Sequence, residues 1–343
     1  MTPPLVLLDG DAYARGLGQA RACPDATEAV REAIRARLAA SVKETPAAHT
    51  FLAAQRKATA QLAPEALAEI EGIADGFDVR PAEVFDFLHL GCLADLAASP
   101  DDQDGCTAFA RGGTVAKNRD FRPEHAALQR VFVHRDPSWG GRSVLCLGSL
   151  GAPGAWSSGM NSDGLALADT QIPTADHGPG LLRYFLMNRL LAAASRVDEA
   201  VAIIRTVPHA GGGSLVLADA TGTAAAIELR HARVEVERAA CVSRTNHYTA
   251  APDPLAPVGH SQARLATLRT ALADGDADPR AILALHAPEA LCRHVADPSL
   301  TLAGAVYDTF RLDASIAFGA PCSTPWRRFA CGEEGWRETH AQA

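Results

Sequence analysis

The chain has 343 residues and a net charge of −8, with 48% apolar and 21% charged residues. This is the composition of an ordinary globular protein with a sizeable core, which excludes a disordered or fibrous chain. Nucleic-acid-binding proteins normally carry a basic face. The acidic balance and the lack of a Lys- or Arg-rich run therefore argue against a nucleic-acid partner.

The amino terminus shows no sign of a secretion signal. Its apolar run over residues 5–8 is short and has no basic residue before it, unlike a signal peptide. No stretch approaches the ~18 apolar residues that a membrane-spanning helix needs. We therefore expect a soluble, cytoplasmic protein that contacts no membrane.

Eight cysteines are scattered along the chain. No two of them have C-x-x-C spacing, so the sequence indicates neither a zinc site nor a disulfide framework. For any one cysteine, a buried apolar thiol is the ordinary role. We expect no metal and no resident cofactor.

The first third of the chain, from about residue 12 to 98, is predicted to be helical. Val30, Ile34 and Leu38 recur at four-residue spacing, which makes one face of a helix apolar. A last helix is predicted over about 82–96, and a polar loop over 99–105 follows it.

After that loop the hydrophobic period changes to that of β-strands. We predict strands over 107–110, 114–117, 131–134, 143–147, 214–217, 224–229 and 234–237, a pair flanking 161–164, and strands near 305–307 and 315–318. Helices are predicted over 181–194, 197–205, 261–272 and 279–286. Gly112-Gly113, between the first two strands, is typical of a hairpin turn. Because the strands and helices are grouped, we expect an α+β fold with mainly antiparallel sheets between helix layers.

Cys106 lies where the helical lead gives way to the first strand. A nucleophile at the start of a strand can face a cleft while the sheet holds it rigid. On its own, however, Gly105-Cys106 is weak evidence and is more typical of an ordinary turn.

Short motifs follow in order along the chain. They are Glu71-Gly72-Ile73-Ala74-Asp75-Gly76, Asp104-Gly105-Cys106-Thr107, Asn118-Arg119-Asp120-Phe121, Gly159-Met160-Asn161-Ser162-Asp163-Gly164-Leu165, Asp219 and Gly222 before Glu228, Thr245-Asn246-His247-Tyr248, Ser261 with Arg264, and Phe318-Gly319-Ala320-Pro321-Cys322. In order and spacing the chain resembles the acyl-coenzyme A:6-aminopenicillanic acid acyltransferases and their autoproteolytic hydrolase relatives. These are similar in turn to the bile-salt and penicillin V amidases. The resemblance covers about residues 69–322.

The resemblance implies an N-terminal-nucleophile hydrolase, a four-layer αββα sandwich with antiparallel sheets. It also implies that the protein cuts its own Gly105–Cys106 bond. A helical segment, 1–105, would then stay associated with a catalytic domain, 106–343, as a heterodimer, and the sequence leaves higher oligomers open. The new α-amine of Cys106 has a reference pKa of ~8 against ~8.5 for a thiol, so it can accept the thiol proton.

The resemblance assigns roles to further residues. Asp120 matches a carboxylate that orients the α-amine. Asn161 and Asn246 match two asparagines that hold the amine and build the oxyanion site, and which does which stays open. Arg264 matches an arginine near the nucleophile. Without the resemblance, each would be an ordinary turn, cap or helix-surface residue.

Lys117 and Arg119 are the predicted substrate-binding residues. The bile-salt amidase branch has arginine at the position of Lys117. Lysine keeps the charge but lacks the planar fork that arginine offers to a carboxylate. The bidentate contact of that branch is therefore in doubt here.

The expected activity is hydrolysis of the amide bond of a small N-acyl substrate through a Cys106 thioester. The alternative is an acyltransferase that moves an acyl group from coenzyme A, as a thioester co-substrate, or from an amide donor to an amine of a natural product. A non-catalytic binding protein of the same fold is a third hypothesis. A serine hydrolase is not indicated, because Gly148-Ser149-Leu150-Gly151 lacks G-x-S-x-G spacing.

Overall fold

The computed structural model describes residues 5–41, 45–98, 105–255, 259–294 and 300–339. Residues 99–104 of the predicted loop, with Asp104 of the cysteine motif, lie outside these ranges. The helices are α1 (Ala12–Ala22), α2 (Thr27–Ala39), α3 (Pro46–Leu62), α4 (Pro64–Phe77), α5 (Pro81–Leu88), α6 (Leu90–Leu96), α7 (Arg183–Ala193), α8 (Val197–Thr206), α9 (His260–Leu272) and α10 (Pro279–Leu283). The strands are β1 (Leu5–Asp9), β2 (Cys106–Arg111), β3 (Thr114–Phe121), β4 (Gln129–Arg135), β5 (Ser143–Ser149), β6 (Ser158–Asn161), β7 (Ala166–Thr170), β8 (Ser214–Ala218), β9 (Ala224–Leu229), β10 (Val234–Arg238), β11 (Cys241–Arg244), β12 (Leu300–Asp308), β13 (Asp313–Ala317), β14 (Trp326–Gly332) and β15 (Gly335–Thr339).

These strands form two sheets. The first sheet has the order β1-β4-β5-β6-β7-β8-β9-β10, and the second has the order β11-β2-β3-β12-β13-β14-β15. Within the described residues, β1 pairs with β4 in parallel and the other neighbours pair antiparallel. The expectation of mainly antiparallel sheets is confirmed.

Successive apolar residues of a strand point to opposite faces of its sheet. One face packs against the other sheet, and the opposite face packs against helices. On β4, Val131 and Val133 face the second sheet, whereas Phe132 packs on the helices. On β2, Ala108 faces the first sheet and Phe109 packs against α9 and α10. The layers are therefore helix, sheet, sheet and helix, which is the four-layer αββα sandwich that the resemblance implies, an α+β fold.

The segment 1–105, which was predicted to be helical, also contains a strand, and this corrects the prediction. Residues Leu5–Asp9 form β1 and pair with β4. Strands β11, β14 and β15 were also not predicted, and the helix predicted over 82–96 is divided into α5 and α6 at His89. Among the helices that the structure describes, none is both long and apolar enough to cross a membrane.

The hairpin predicted at Gly112-Gly113 is present between β2 and β3. Both glycines have positive φ, 51° and 78°, as a tight two-residue hairpin turn requires. The hairpin pairs Cys106 at the start of β2 with Arg119 near the end of β3. It therefore brings the cysteine motif beside Asp120.

Candidate active site

Cys106 is the first residue of β2 and is buried. Its backbone N–H donates to Oδ1 of Asn246 at 3.0 Å. Its carbonyl accepts from Nη1 of Arg264 at 2.8 Å. Both polar groups of its backbone are thus held by side chains rather than by a neighbouring strand, and the position of the thiol-bearing residue is fixed.

Asp120 lies on the other side of the Gly105–Cys106 peptide bond. Its backbone N–H donates to the carbonyl of Gly105 at 3.0 Å, and its Oδ1 accepts from Oγ1 of Thr301 at 2.6 Å. Its Oδ2 is buried and has no hydrogen-bond partner within the described residues. Burial raises the pKa of this carboxyl group, and the nearby guanidinium of Arg264 opposes that rise. An unused carboxylate oxygen therefore lies beside the bond that is predicted to be cut.

Asn246 and Arg264 form one hydrogen-bonded unit with the cysteine motif. Nη2 of Arg264, on α9, donates to Oδ1 of Asn246 at 2.6 Å, and its Nη1 donates to Oγ1 of Thr107 at 3.1 Å. Nδ2 of Asn246 donates to the carbonyl of Gln171 at 2.8 Å. The same Oδ1 of Asn246 thus accepts from both Cys106 and Arg264, which orients it toward the nitrogen of Cys106.

Lys117 occupies a different environment from the one predicted. Its Nζ is buried, donates to the carbonyl of Ser157 at 3.3 Å and forms an ion pair with Asp169. Asp169 also accepts from Nε of Arg183 at 2.9 Å. Burial raises the pKa of the Cys106 thiol, and the positive charge of Lys117 opposes that rise. The amine of Lys117 therefore lies in a buried ion pair, and its role in binding substrate stays a prediction.

Arg119 is also buried, and it lies against two aromatic rings that line a cavity. Its guanidinium lies over the rings of Phe121 and Trp156, at 5.3 and 5.1 Å from their centroids, and donates to Oε1 of Gln129 at 3.2 Å. The adjoining cavity has aromatic and aliphatic walls with two arginines, and its lining includes Arg37, Phe87, Leu90, Phe121, Trp156, Gln171, Leu182, Arg183 and Tyr184. Arg119 is thus placed to support the aromatic wall of this cavity.

Asn161 is not brought together with Cys106, and this corrects the sequence prediction. It ends β6, is fully buried, and both hydrogens of its amide go to backbone carbonyls at the end of α7, at 2.9 and 2.7 Å. Its Oδ1 accepts from the backbone N–H groups of Asp163 and Leu165. No donor of this amide remains for an oxyanion, because the side chain ties its own turn to α7.

Three residues at the site were missed by sequence reasoning. Thr301 holds Asp120, Asp169 holds Lys117, and Gln171 connects Asn246 to the cavity. Thr301 comes from β12, far along the chain from Asp120, so no local pattern could reveal it. Asp169 is the last residue but one of β7, and Gln171 follows the strand directly. Polar residues are ordinary at the end of a strand.

Gly105 has no room for a side chain. A Cβ there would lie 2.9 Å from Oδ2 of Asp120, a buried carboxylate fixed by Thr301, and 2.8 Å from Nη1 of Arg293. We expect Gly105→Ala to slow self-cleavage by about 10²-fold, since a displacement of about 1 Å at a reacting centre has that effect. The measurement is the uncut fraction on a denaturing gel over time. Gly275→Ala is the matched control, because a Cβ at Gly275 meets open space; equal cleavage of the two variants would contradict the tight fit at Gly105.

The chain is similar to solved structures and to a sequence family. Among curated proteins, none matches the chain. A mutant of the conjugated bile acid hydrolase from Clostridium perfringens is similar in structure, with 12% sequence identity, a TM-score of 0.44, and coverage of 70% of this chain and 97% of that one. The penicillin V acylase from Agrobacterium tumefaciens has 14% identity and a TM-score of 0.35, covering 69% of this chain and 90% of that one.

The sequence model of the family described as acyl-coenzyme A:6-aminopenicillanic acid acyl-transferase matches residues 109–322. This match takes in more than half of the chain, including β3, β7, α9 and the segments that carry Asp120, Asn246 and Arg264. The chain therefore belongs to the acyl-coenzyme A:6-aminopenicillanic acid acyl-transferase family.

Proposed function

We propose that this protein is an autoprocessed cysteine amidohydrolase that cleaves the amide bond of a small N-acyl substrate through a thioester on Cys106. The observation that carries the proposal is the pair of contacts on either side of one peptide bond. Asn246 holds the nitrogen of Cys106, and the backbone N–H of Asp120 holds the carbonyl oxygen of Gly105. These are the two atoms on which charge changes when that bond is cut.

The proposed self-cleavage begins with attack of the Cys106 thiol sulfur on the carbonyl carbon of Gly105. The carbonyl oxygen becomes negative, and the N–H of Asp120 stabilises it. The C–N bond then breaks, and the proton lost by the thiol ends on the nitrogen of Cys106, which becomes a free amine. Water hydrolyses the resulting thioester, which leaves a carboxylate on Gly105 and regenerates the thiol.

In turnover, the α-amine of Cys106 is the proposed base. It would keep its hydrogen bond to Oδ1 of Asn246 and accept the thiol proton, as the amine of other N-terminal nucleophiles does. Nδ2 of Asn246 donates one hydrogen bond within the described residues, to Gln171. Its second N–H is then available to the oxyanion of the substrate, and a donor in that position typically contributes ~10²-fold or more to kcat.

The cavity that Gln171 lines is the proposed place for a small acyl group, because Gln171 also accepts a hydrogen bond from Asn246. Its aromatic walls, Phe87, Phe121, Trp156 and Tyr184, suit an apolar chain or ring. Arg37 also lines it, with its guanidinium 5.4 Å from the ring centroid of Phe121. A leaving part that carries a carboxylate, as in an N-acyl amino acid or a β-lactam, would meet the guanidinium of Arg37 there, and also the carboxyl group of Asp95, which lines the same cavity.

Acyl transfer is the second candidate function, and the family match favours it. Hydrolysis and transfer share the thioester and differ in whether water or an amine resolves it. Coenzyme A thioesters are then alternative acyl donors.

The test is mass spectrometry of the chain that begins at Cys106, after brief exposure to N-acyl amino acids or acyl-coenzyme A. We expect an acyl adduct on Cys106 and loss of all turnover after alkylation with iodoacetamide. Adding an amine such as 6-aminopenicillanic acid distinguishes the candidates, since transfer gives an N-acyl product and hydrolysis gives only the free acid. Undiminished turnover after complete alkylation of Cys106 would refute the thioester mechanism.

A further inference from the structure

Four side chains with metal-binding atoms converge outside the contacts of Cys106. They are His286, Cys292 and His294, from the connection between α10 and β12, and Cys322, from the connection between β13 and β14. Their ligand atoms all lie within 4.8 Å of one another, and all the cysteines among the described residues are free thiols. Nothing in the proposed chemistry of Cys106 uses this cluster.

Four of the distances among these atoms lie near those of a tetrahedral zinc site. Bonds of about 2.3 Å to sulfur place two thiolates about 3.8 Å apart, and the Sγ atoms of Cys292 and Cys322 are 3.7 Å apart. Bonds of about 2.0 Å to nitrogen place two imidazoles about 3.3 Å apart, and Nε2 of His286 lies 3.0 Å from Nε2 of His294. Nε2 of His294 is 3.7 Å from Sγ of Cys292 and 3.1 Å from Sγ of Cys322.

Hydrogen bonds alone leave this arrangement unsatisfied. A neutral imidazole nitrogen either donates one hydrogen or accepts one, yet Nε2 of His294 faces His286, Cys292 and Cys322 at once. A disulfide between the cysteines would need the sulfur atoms about 2.05 Å apart. One cation at the centre would contact all four atoms.

We propose that His286, Cys292, His294 and Cys322 bind one zinc ion in a closed four-coordinate site. Two nitrogen and two sulfur ligands in a tetrahedron are the donor set typical of structural zinc. The two thiols lose their protons on binding, and the two thiolates balance the charge of the ion. The site has no place for a water or substrate ligand, so its role is structural.

The proposed ion would fix a segment that borders the candidate active site. The carbonyls of Leu283 and Leu291 accept from Nδ2 of Asn118 at 2.7 and 2.8 Å. The backbone N–H of Arg293 donates to Oγ1 of Thr301 at 2.8 Å, and that hydroxyl donates to Asp120. The zinc ligands thus surround the backbone that positions Thr301, and they join it to the β13–β14 connection.

The experiment is metal analysis of the full chain purified without chelator or affinity metal. We expect about one zinc per chain in the wild type, in line with a closed four-ligand site, and loss of zinc in Cys322→Ser and His286→Ala. Both side chains are exposed, so these variants should fold. Cys331→Ser is the control, because Cys331 lies outside the cluster, and it should keep its zinc.

A second measurement is thermal unfolding with and without a strong zinc chelator. Chelation should lower the Tm of the wild type and of Cys331→Ser, and should leave that of Cys322→Ser unchanged. Cobalt(II) added to the stripped wild type should give a thiolate-to-metal charge-transfer band that Cys322→Ser lacks. Three results would each overturn the proposal: no zinc in the wild type, zinc retained in both ligand variants, or a Cys292–Cys322 disulfide in unreduced protein. None of them bears on Cys106, so the proposed function is tested separately.

Discussion

Cys106→Ala is expected to remain a single uncut chain of 36.0 kDa, whereas the wild type is expected to give two chains on a denaturing gel. The thiol of Cys106 is the attacking atom in the proposed self-cleavage, and alanine offers no nucleophile. Turnover should fall by about 10⁶-fold, the size of effect seen when a catalytic nucleophile is deleted. Intact-mass measurement and amino-terminal sequencing of the larger wild-type fragment should show Cys106 as its first residue.

Cys241→Ser is the matched control. Cys241 is half-buried on β11, outside the contacts of Cys106 described above, so this variant should be cut and active. The cut wild-type chains should elute together on gel filtration. One continuous core joins residues on both sides of the cut, such as Ile73 and Phe77 with Leu190 and Leu217. Active wild-type protein with an intact Gly105–Cys106 bond would rule out the N-terminal-nucleophile mechanism.

The sequence predicted the features that depend on local periodicity. The change from helical to strand spacing near residue 105 is where the structure begins β2. The Gly112-Gly113 turn could be predicted because a tight hairpin requires positive φ, and glycine adopts it without strain. Strand β1 was missed because its five residues gain stability only from a parallel neighbour far along the chain.

The candidate site was predicted in part because its residues lie in recognisable motifs. Cys106, Asp120, Asn246 and Arg264 are brought together by the structure. Asn161 also lies in a motif, but a motif does not say where its amide hydrogens go. Lys117 was expected to meet substrate, and only the packing of β3 against β7 reveals that Asp169 neutralises it.

The histidine and cysteine cluster could not be found by spacing rules. Those rules assume that ligands lie close together in sequence, whereas Cys322 belongs to a different connection from the other three residues. Only the order of strands β12, β13 and β14 in the second sheet places the two connections side by side. The expectation that the chain binds no metal rested on sequence spacing alone, and the metal analysis proposed above tests it against a zinc site.

Asn246→Ala and Asn161→Ala are expected to separate a role in the reaction from a role in the fold. Both asparagines are buried and hydrogen-bonded, and both match the same family motif set. Only Asn246 contacts Cys106. Its loss removes the acceptor that holds the nitrogen of Cys106 and the donor that the proposed mechanism aims at the oxyanion, so kcat should fall by about 10² to 10³-fold with little change in KM.

Asn161→Ala should instead destabilise the protein. Two carbonyls at the end of α7 and two N–H groups of the turn after β6 lose their partner, which we expect to lower the free energy of unfolding by about 2 to 3 kcal/mol. The kcat of the folded variant should match that of the wild type. The measurements are Tm, and kcat per cut chain, with the cut fraction taken from a gel, because Asn246→Ala should also slow self-cleavage. A lowered kcat with unchanged Tm in Asn161→Ala, or wild-type kcat in Asn246→Ala, would reverse these assignments.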